Sequence, residues 1–288
     1  MRPSPGPRGP RRDGRCGGGS ELGKDLTVQR VAGPTEYDTA LEIATTPTKT
    51  SVGKLDLAGA YGTNTRGKAG LYNTTNGNAS ATAPSSTPVP TAVLATGRTF
   101  QDAMSASALA YADHLPILLT TPSKLSPQVS TAIDQLGIEQ VIVMGGPLAV
   151  SDTVVVSLER AHVSVLRVAG ADYTMTAVEL AICELGPATG HVGLDWPASG
   201  GAIVARGNGF TDGLAGAVVA ADGPASSSPE PLLLTENPTT PGIYLLAFFE
   251  VAGTTGIWAK TLTHLTVLGG PLAVSNQAAN EMEIALAF

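Results

Sequence analysis

The residues of this sequence best suited to hold a ligand are charged side chains next to glycines, and they occur twice. Gly97-Arg-Thr-Phe-Gln-Asp102 returns as Gly207-Asn-Gly-Phe-Thr-Asp212, and Arg206 directly precedes the second copy. Each copy follows a short apolar run and precedes an amphipathic one, which predicts a strand-to-helix turn. Free N–H groups at the start of a helix, together with an arginine, attract phosphates, carboxylates and other anions. The predicted ligand-binding residues of these blocks are Gly97, Arg98, Asp102, Arg206, Gly207 and Asp212.

The same blocks also have a purely structural explanation. Aspartates at these positions suit a helix cap, since a carboxylate accepts hydrogen bonds from the N–H groups of the first turn. Because Arg206 stands before its glycine and Arg98 after its own, two anion sites would bind unequally. Arg30 and Arg167, each at the start of a repeated Arg-Val-Ala-Gly block, are either further anion ligands or partners of acidic side chains.

Another repeated block is identical in its two copies. Gly145-Gly-Pro-Leu-Ala-Val-Ser151 reappears as Gly269-Gly-Pro-Leu-Ala-Val-Ser275. Two glycines permit positive φ and close approach, and either serine suits a helix N-cap. The block is therefore either a tight turn or a place where a ligand approaches the carboxyl ends of the strands. It adds Gly145, Gly146, Gly269 and Gly270 to the predicted ligand-binding residues.

Catalytic and cofactor chemistry find little support in the sequence. The chain has no G-x-S-x-G nucleophile elbow, and Asp212 stands where the third glycine of a dinucleotide-binding turn would be. Trp196 and Trp258 either stack on a sugar or pack in a core or loop. We therefore predict no catalytic residue, no metal ion and no cofactor. The four histidines, which have no metal-ligand spacing, are His114, His162, His191 and His264.

The charge of the chain argues against two kinds of partner. There are 17 Lys and Arg against 24 Asp and Glu, a net charge of −7, and the basic residues concentrate in the first 30 positions. The acidic remainder lacks the basic surface that nucleic acid requires. No run of about 18 apolar residues is present to span a bilayer. We predict neither nucleic-acid binding nor a membrane span.

The order of the blocks predicts two tandem repeats. Strand-like and helix-like segments alternate within each copy, which is typical of a parallel α/β sheet. Pro, Gly and Arg dominate the N-terminus and predict disorder there, whereas Thr, Asn, Ser and Pro dominate a long inserted loop. The predicted segments are a disordered tail at 1–26, a first repeat at 27–163 with an insertion at about 45–90, and a second repeat at 164–288.

These blocks, in this order, resemble the cell-wall-binding repeat type 2 family of bacterial surface proteins. The first copy reads RVAGPTEYDTA, TGRTFQDAMSASALA, PILLT and VIVMGGPLAVS; the second reads RVAGADYTMTA, RGNGFTDGLAGAVVA, PLLLT and LTVLGGPLAVS. The resemblance implies Toprim-like/Rossmann-like modules that anchor a protein non-covalently to anionic wall polymers, such as teichoic acids, outside the cell. Members commonly carry three repeats, whereas two are recognisable here.

Three functions follow as hypotheses. The first is a non-catalytic, extracellular module of the cell wall or cell surface that binds an anionic polymer. The second is a structural surface protein that self-assembles as a homo-oligomer, layer or filament. The third is an accessory module of a wall hydrolase, because such repeats accompany wall amidases.

Overall fold

The computed structural model describes residues 30–46, 52–55, 57, 87–186, 194, 196, 200–223, 228–254 and 262–287. The predicted disordered tail and most of the predicted insertion lie outside these residues, as do His191 and Trp258. The described part of the insertion includes a two-residue strand, Lys54–Leu55, that pairs with Val89 and Pro90.

Helices and strands alternate along the described chain, as predicted. The elements of the first half are α1 Glu36–Thr45, β1 Lys54–Leu55, β2 Val89–Thr96, α2 Gln101–Ser105, α3 Ser107–Ala112, β3 Ile117–Thr120, α4 Pro127–Leu136, β4 Gln140–Met144, α5 Asp152–Arg160 and β5 Ser164–Val168. Those of the second half are α6 Tyr173–Leu185, β6 Gly201–Arg206, α7 Thr211–Asp222, β7 Leu232–Thr235, α8 Ile243–Thr254, β8 His264–Val267 and α9 Asn276–Ala287.

Two sheets organise these elements. In the first, β2 lies between β3 and β4, β5 pairs with the far side of β4, and all these pairs are parallel. The short β1 adds to β2 in the antiparallel sense. In the second, β6 lies between β7 and β8 and both pairs are parallel. The prediction of an α/β fold is confirmed.

Helices cover both faces of the first sheet, which explains why its inner strands are apolar without alternation. Along β2, Val93 and Ala95 join the core on the α3 side, whereas Ala92 and Leu94 join the core formed with α4 and α5. The core on the α3 side continues through α6 to the second sheet and includes Leu109, Leu180, Ile203 and Phe249. The two sheets therefore share one hydrophobic core.

The second Arg-Val-Ala-Gly block joins the two repeats. Its strand, β5, pairs with β4 of the first sheet in the register Val143↔Arg167, whereas the next helix, α6, packs on β7 of the second sheet. The predicted repeat boundary at 163/164 assigns β5 to the second repeat by sequence and stays a prediction.

Candidate functional site

The predicted ligand-binding glycines lie at the carboxyl ends of neighbouring strands. Gly97 follows β2 and Gly145 follows β4, and these strands pair in parallel. In the second sheet, Gly207 follows β6 and Gly269 follows the neighbouring β8. Each sheet thus brings one turn of each repeated block to the same edge, where open α/β sheets bind their ligands.

The two blocks also contact each other through an aspartate. A Cβ atom added to Gly145 would lie 2.5 Å from Oδ2 of Asp102, and one added to Gly269 would lie 2.8 Å from Oδ2 of Asp212. Gly145 and Gly269 also have positive φ, 87° and 89°. Both constraints require glycine. The first glycine of the identical block is therefore structural in both copies.

The prediction that these aspartates cap their helices is wrong. The N-cap residues of α2 and α7 are Phe100 and Phe210, neither helix has a side-chain cap hydrogen bond, and the aspartates lie in the first turn. Their carboxylates turn toward the glycine turn of the neighbouring strand instead.

Asp102 occupies an unfavourable electrostatic environment. Its side chain is 7% exposed, and among the described residues no hydrogen bond reaches its carboxylate. Burial raises the pKa of Asp102 to about 6. A buried carboxyl group without a partner disfavours its charged form, so a cation or a hydrogen-bond donor arriving at this edge would lower the pKa again.

The arginines of the first block lie differently in the two repeats. Arg98 is exposed, and its backbone N–H donates to Oγ1 of Thr96 at 3.2 Å. Arg206 is half-buried with its guanidinium against Gly209, and its buried Nε has no hydrogen-bond partner in the described part of the chain. The second repeat thus has a half-buried cation with an unused donor, and the first has an exposed cation.

Arg167 is the partner of an acidic side chain, which was one of its two predicted roles. Its Nη1 donates to the carbonyl oxygens of Gly145 and Val150 at 2.7 and 2.8 Å, and its Nη2 lies 3.3 Å from Oδ1 of Asp152. Burial lowers the pKa of this guanidinium, although Asp152 opposes the shift. The side chain holds the glycine turn in place and is itself 3% exposed, so it cannot reach a ligand.

The sequence did not identify two tyrosines that border this edge. The ring of Tyr37 lies against Gly97, and that of Tyr173 lies against Gly207, so each glycine leaves room for an aromatic ring. The Tyr173 hydroxyl donates to the carbonyl oxygen of Glu236. Tyr37 lies four residues after the glycine of its Arg-Val-Ala-Gly block and Tyr173 three residues after its own. Because the two positions differ, comparing the repeats by sequence does not show that the tyrosines have the same role.

The second glycine of the identical block is not explained by packing. A Cβ atom added to Gly146 or Gly270 would meet nothing within 4 Å, and neither residue has positive φ. The leucines two positions later, Leu148 and Leu272, are 97% and 92% exposed. Open backbone and an exposed leucine beside it, in both copies, suit contact with something outside the chain.

Three other residues that the sequence singled out, two serines and a tryptophan, can be compared with their predicted roles. The backbone N–H of Ala278 donates to Oγ of Ser275 at 3.1 Å, so this serine caps α9, whereas Ser151 precedes α5 without such a bond. Trp196 is buried, which excludes stacking on a sugar.

Among the described residues, no three His, Cys, Asp or Glu side chains are grouped to hold a metal ion. No helix in this part of the chain is long and apolar enough to cross a membrane.

Known proteins share both the sequence pattern and the fold. The model of the cell wall binding domain 2 (CWB2) family matches residues 30–155 and again residues 167–279. The N-acetylmuramoyl-L-alanine amidase LytC of Bacillus subtilis (strain 168) is 35% identical over 91 residues, which is 32% of this chain and 18% of that protein.

Two solved structures have a similar fold at 18% identity. Cwp6 from Clostridium difficile matches 88% of this chain with a TM-score of 0.58, and Cwp8 matches 92% with a TM-score of 0.59. The chain covers 31% and 35% of these two proteins, so it spans about a third of their length or less. The two matched segments indicate tandem copies, and the chain belongs to the cell wall binding domain 2 family.

Proposed function

We propose that this chain is a non-catalytic module that binds anionic polymers of the bacterial cell wall from outside the cell and so anchors a surface protein non-covalently. Membership of a cell wall binding family gives the wall as the binding partner and the wall or cell surface as the location. The anionic nature of the polymer, teichoic acid being one example, is what the resemblance to this family implies, and the arginines in the turns at the carboxyl ends of the strands support it.

The observation that carries the proposal is the open second glycine in one turn at each edge, with an arginine in the turn that follows the neighbouring strand. Gly146 and Gly270 leave space above the backbone. The neighbouring turns carry Arg98 and Arg206, and arginine donors form strong hydrogen bonds with phosphate and carboxylate oxygens. The body of the protein is acidic, so attraction at long range is weak and binding depends on these local contacts.

The fold supports this assignment. We infer Toprim-like/Rossmann-like modules, since each sheet has parallel strands in which the chain moves outward from β2 or β6 to both sides. A reversal of strand order of this kind opens a crevice at the carboxyl ends. The turns after β2 and β4, and after β6 and β8, border that crevice.

Co-sedimentation of the full chain with Gram-positive cell walls, before and after mild acid extraction of their anionic polymers, tests the proposal. We expect binding that is lost on extraction and that weakens as salt rises from about 0.05 to 0.5 M. The double variant Arg98→Ala/Arg206→Ala should bind at least about tenfold more weakly, because a hydrogen bond to a charged group contributes roughly 1.5 kcal/mol or more.

Two further variants separate function from folding. Arg160→Ala is the matched control, since Arg160 is exposed at the last turn of α5, far along that helix from the glycine turn where it begins. Gly146→Ala/Gly270→Ala should keep the thermal stability of the parent, because the added methyl groups meet no other atom of the protein. The variant should lose wall binding, because the methyl groups fill the space above the backbone where we propose that the polymer lies. Binding that survives polymer extraction, or that is unchanged in the double arginine variant, would overturn the proposal.

The amidase relative favours a second role for the same module. The shared segment covers 18% of that enzyme, which is consistent with an accessory domain that brings a hydrolase to its substrate. Zymography of the purified chain on cell walls tests intrinsic activity, and we expect no clearing band.

A further inference from the structure

A buried carboxylate at the carboxyl edge of the first sheet lacks a partner in the described part of the chain. Asp102 does not cap α2, whose N-cap is Phe100, and no hydrogen bond from a described residue reaches its carboxylate. The residue is 7% exposed, and its Oδ2 would lie 2.5 Å from a Cβ atom added to Gly145. The charge therefore lies beside the glycine turn, at the edge to which we assign the polymer.

The second repeat places a carboxylate at the same point. Oδ2 of Asp212 would lie 2.8 Å from a Cβ atom added to Gly269, and α7 likewise has no side-chain cap hydrogen bond. Asp212 is half-buried, so it is more open to solvent than Asp102. The two six-residue blocks that begin at Gly97 and Gly207 share only their Gly, Phe and Asp. A carboxylate directed at the neighbouring glycine turn is thus a feature of both repeats.

The guanidinium that holds the Gly145 turn does not pair with Asp102. Arg167 donates to the carbonyl oxygens of Gly145 and Val150, and its Nη2 lies 3.3 Å from Oδ1 of Asp152. A buried charge without an opposite charge is unfavourable. A positively charged hydrogen-bond donor from outside the chain would therefore be stabilised beside Asp102.

Open space and a cation lie next to this carboxylate. A Cβ atom added to Gly146 would meet nothing within 4 Å, so the backbone beside Gly145 is open. Arg98 stands four residues before Asp102 and is exposed. In the second repeat, Arg206 stands six residues before Asp212. Each edge thus offers a cation and an anion close together in sequence.

We propose that the polymer bound at these edges is zwitterionic, with anionic groups that contact Arg98 and Arg206 and primary ammonium groups that contact Asp102 and Asp212. This inference rests on the wall-polymer binding proposed above and specifies the chemical class of the polymer. An ammonium group donates three hydrogen bonds and a carboxylate accepts at both oxygens. Hydrogen bonds between such charged groups are short and strong.

A divalent metal ion fits these edges less well than an ammonium group. Such an ion takes about six or more oxygen ligands. Near the Gly145 turn, the carboxylate of Asp152 is already paired with Arg167. Over the described ranges, no three His, Cys, Asp or Glu side chains are grouped to hold a metal ion. A single buried carboxylate in each repeat suits one ammonium group.

The overall charge of the protein makes the proposal testable by sign. The chain has 24 Asp and Glu against 17 Lys and Arg, so a polymer with only negative groups is repelled at long range. If the arginines alone bind the polymer, neutralising its ammonium groups makes it more anionic and leaves its affinity equal or higher. If Asp102 and Asp212 bind ammonium groups, the same treatment lowers the affinity.

The experiment is a competition with soluble polymer, released by mild acid extraction from Gram-positive cell walls. Native polymer and polymer N-acetylated with acetic anhydride are compared by the concentration that halves co-sedimentation of the full chain with intact walls. At about pH 7.5 Asp102 is ionised, because its pKa is about 6. We expect the acetylated polymer to compete about tenfold more weakly or worse.

A third form of the polymer identifies the source of the ammonium group. Hydroxylamine near neutral pH removes ester-linked amino acids and leaves amino sugars in place. A loss of affinity equal to that on acetylation assigns the contact to an ester-linked amino acid. Full affinity after this treatment, together with loss on acetylation, assigns it to an amino sugar.

Variants separate the carboxylate contact from the arginine contact. Asp102→Asn/Asp212→Asn should bind the native and the acetylated polymer with about equal affinity. Arg98→Ala/Arg206→Ala should bind both forms more weakly and keep the preference for the native one. Asp134→Asn, at an exposed position of α4, is the matched control and should behave as the parent. Melting temperatures verify that each variant is folded.

Two results would overturn this inference while leaving wall-polymer binding intact. The first is an acetylated polymer that competes with the parent chain as well as the native polymer, or better. The second is a folded Asp102→Asn/Asp212→Asn variant that keeps the preference of the parent. Failure of every form of the polymer to compete would instead overturn wall-polymer binding itself, and this inference with it.

Discussion

Replacing Asp102 by asparagine should stabilise the protein at neutral pH. The carboxyl group lies against the Gly145 turn, is 7% exposed and has no hydrogen-bond partner among the described residues. Burial raises its pKa to about 6 from the ordinary value of 3.8. Asparagine has nearly the same shape and removes the charge that is unfavourable in this position.

The magnitude follows from the difference in pKa. A shift of about 2 units, at 1.36 kcal/mol per unit, amounts to roughly 3 kcal/mol. Since the folded state holds the proton more tightly, the free energy of unfolding falls as pH rises from about 4 to about 6, and the loss is complete above that range. The variant should therefore match the parent near pH 3.5 and exceed it by up to about 3 kcal/mol at pH 7.5.

Urea unfolding of the parent and of Asp102→Asn across this pH range measures the effect. Asp134→Asn, at an exposed position of α4, is the control and should change little. A variant that is less stable than the parent at pH 7.5, or a difference that does not vary between about pH 4 and 6, would refute the reasoning.

Four further expectations follow from matched positions. Ile43 and Leu180 stand ten residues after the glycine of the two Arg-Val-Ala-Gly blocks and are 61% and 1% exposed. Leu180→Ala should lower the free energy of unfolding in urea by about 2 to 5 kcal/mol, whereas Ile43→Ala should change it by less than about 0.5 kcal/mol; equal losses would contradict the difference in burial. Gly145→Ala should lower the melting temperature through strained φ and contact with Asp102, and Gly146→Ala should leave it unchanged. Arg167→Gln should cost about 2 kcal/mol or more, because the carbonyls of Gly145 and Val150 lose a charged donor, with Arg160→Gln as its control. Glu184 is fully buried and burial raises its pKa well above the usual range, with Asp113 adding to the shift; Glu184→Gln should raise the melting temperature at pH 8 more than at pH 4.

The sequence predicted the elements well wherever local pattern decides them. A run of apolar residues predicts a strand at Gln140–Met144, and apolar residues at helical spacing predict a helix at Pro127–Leu136. The structure has both elements with these bounds, because each pattern depends directly on which side chains are buried. The strand-to-helix turns after β2, β4, β6 and β8 were also predicted correctly, since a glycine follows the apolar run of each of these strands. The single helix predicted after Gly97 is instead two helices, α2 and α3, separated at Ala106. No glycine or proline stands there, so the sequence does not predict the break.

Side-chain partners were less predictable because they depend on the neighbouring strand. Aspartate in a first helical turn suits a cap, yet Asp102 and Asp212 turn toward Gly145 and Gly269, about 40 and 60 residues away in sequence. Arg167 had two open roles, and the parallel pairing of β4 with β5 brings it to the carbonyls of the Gly145 turn. Nothing in the sequence near either residue specifies these long-range neighbours.

The repeats show a further limit on sequence interpretation. Ile43 and Leu180 are similar apolar residues at the same position of equivalent helices, and yet one is exposed and the other buried. Their hydrophobicity is the same, so the difference arises from which surface the other repeat covers. In a tandem protein, apolar periodicity therefore predicts which face of a helix can be buried, but not in which copy of the repeat it is buried.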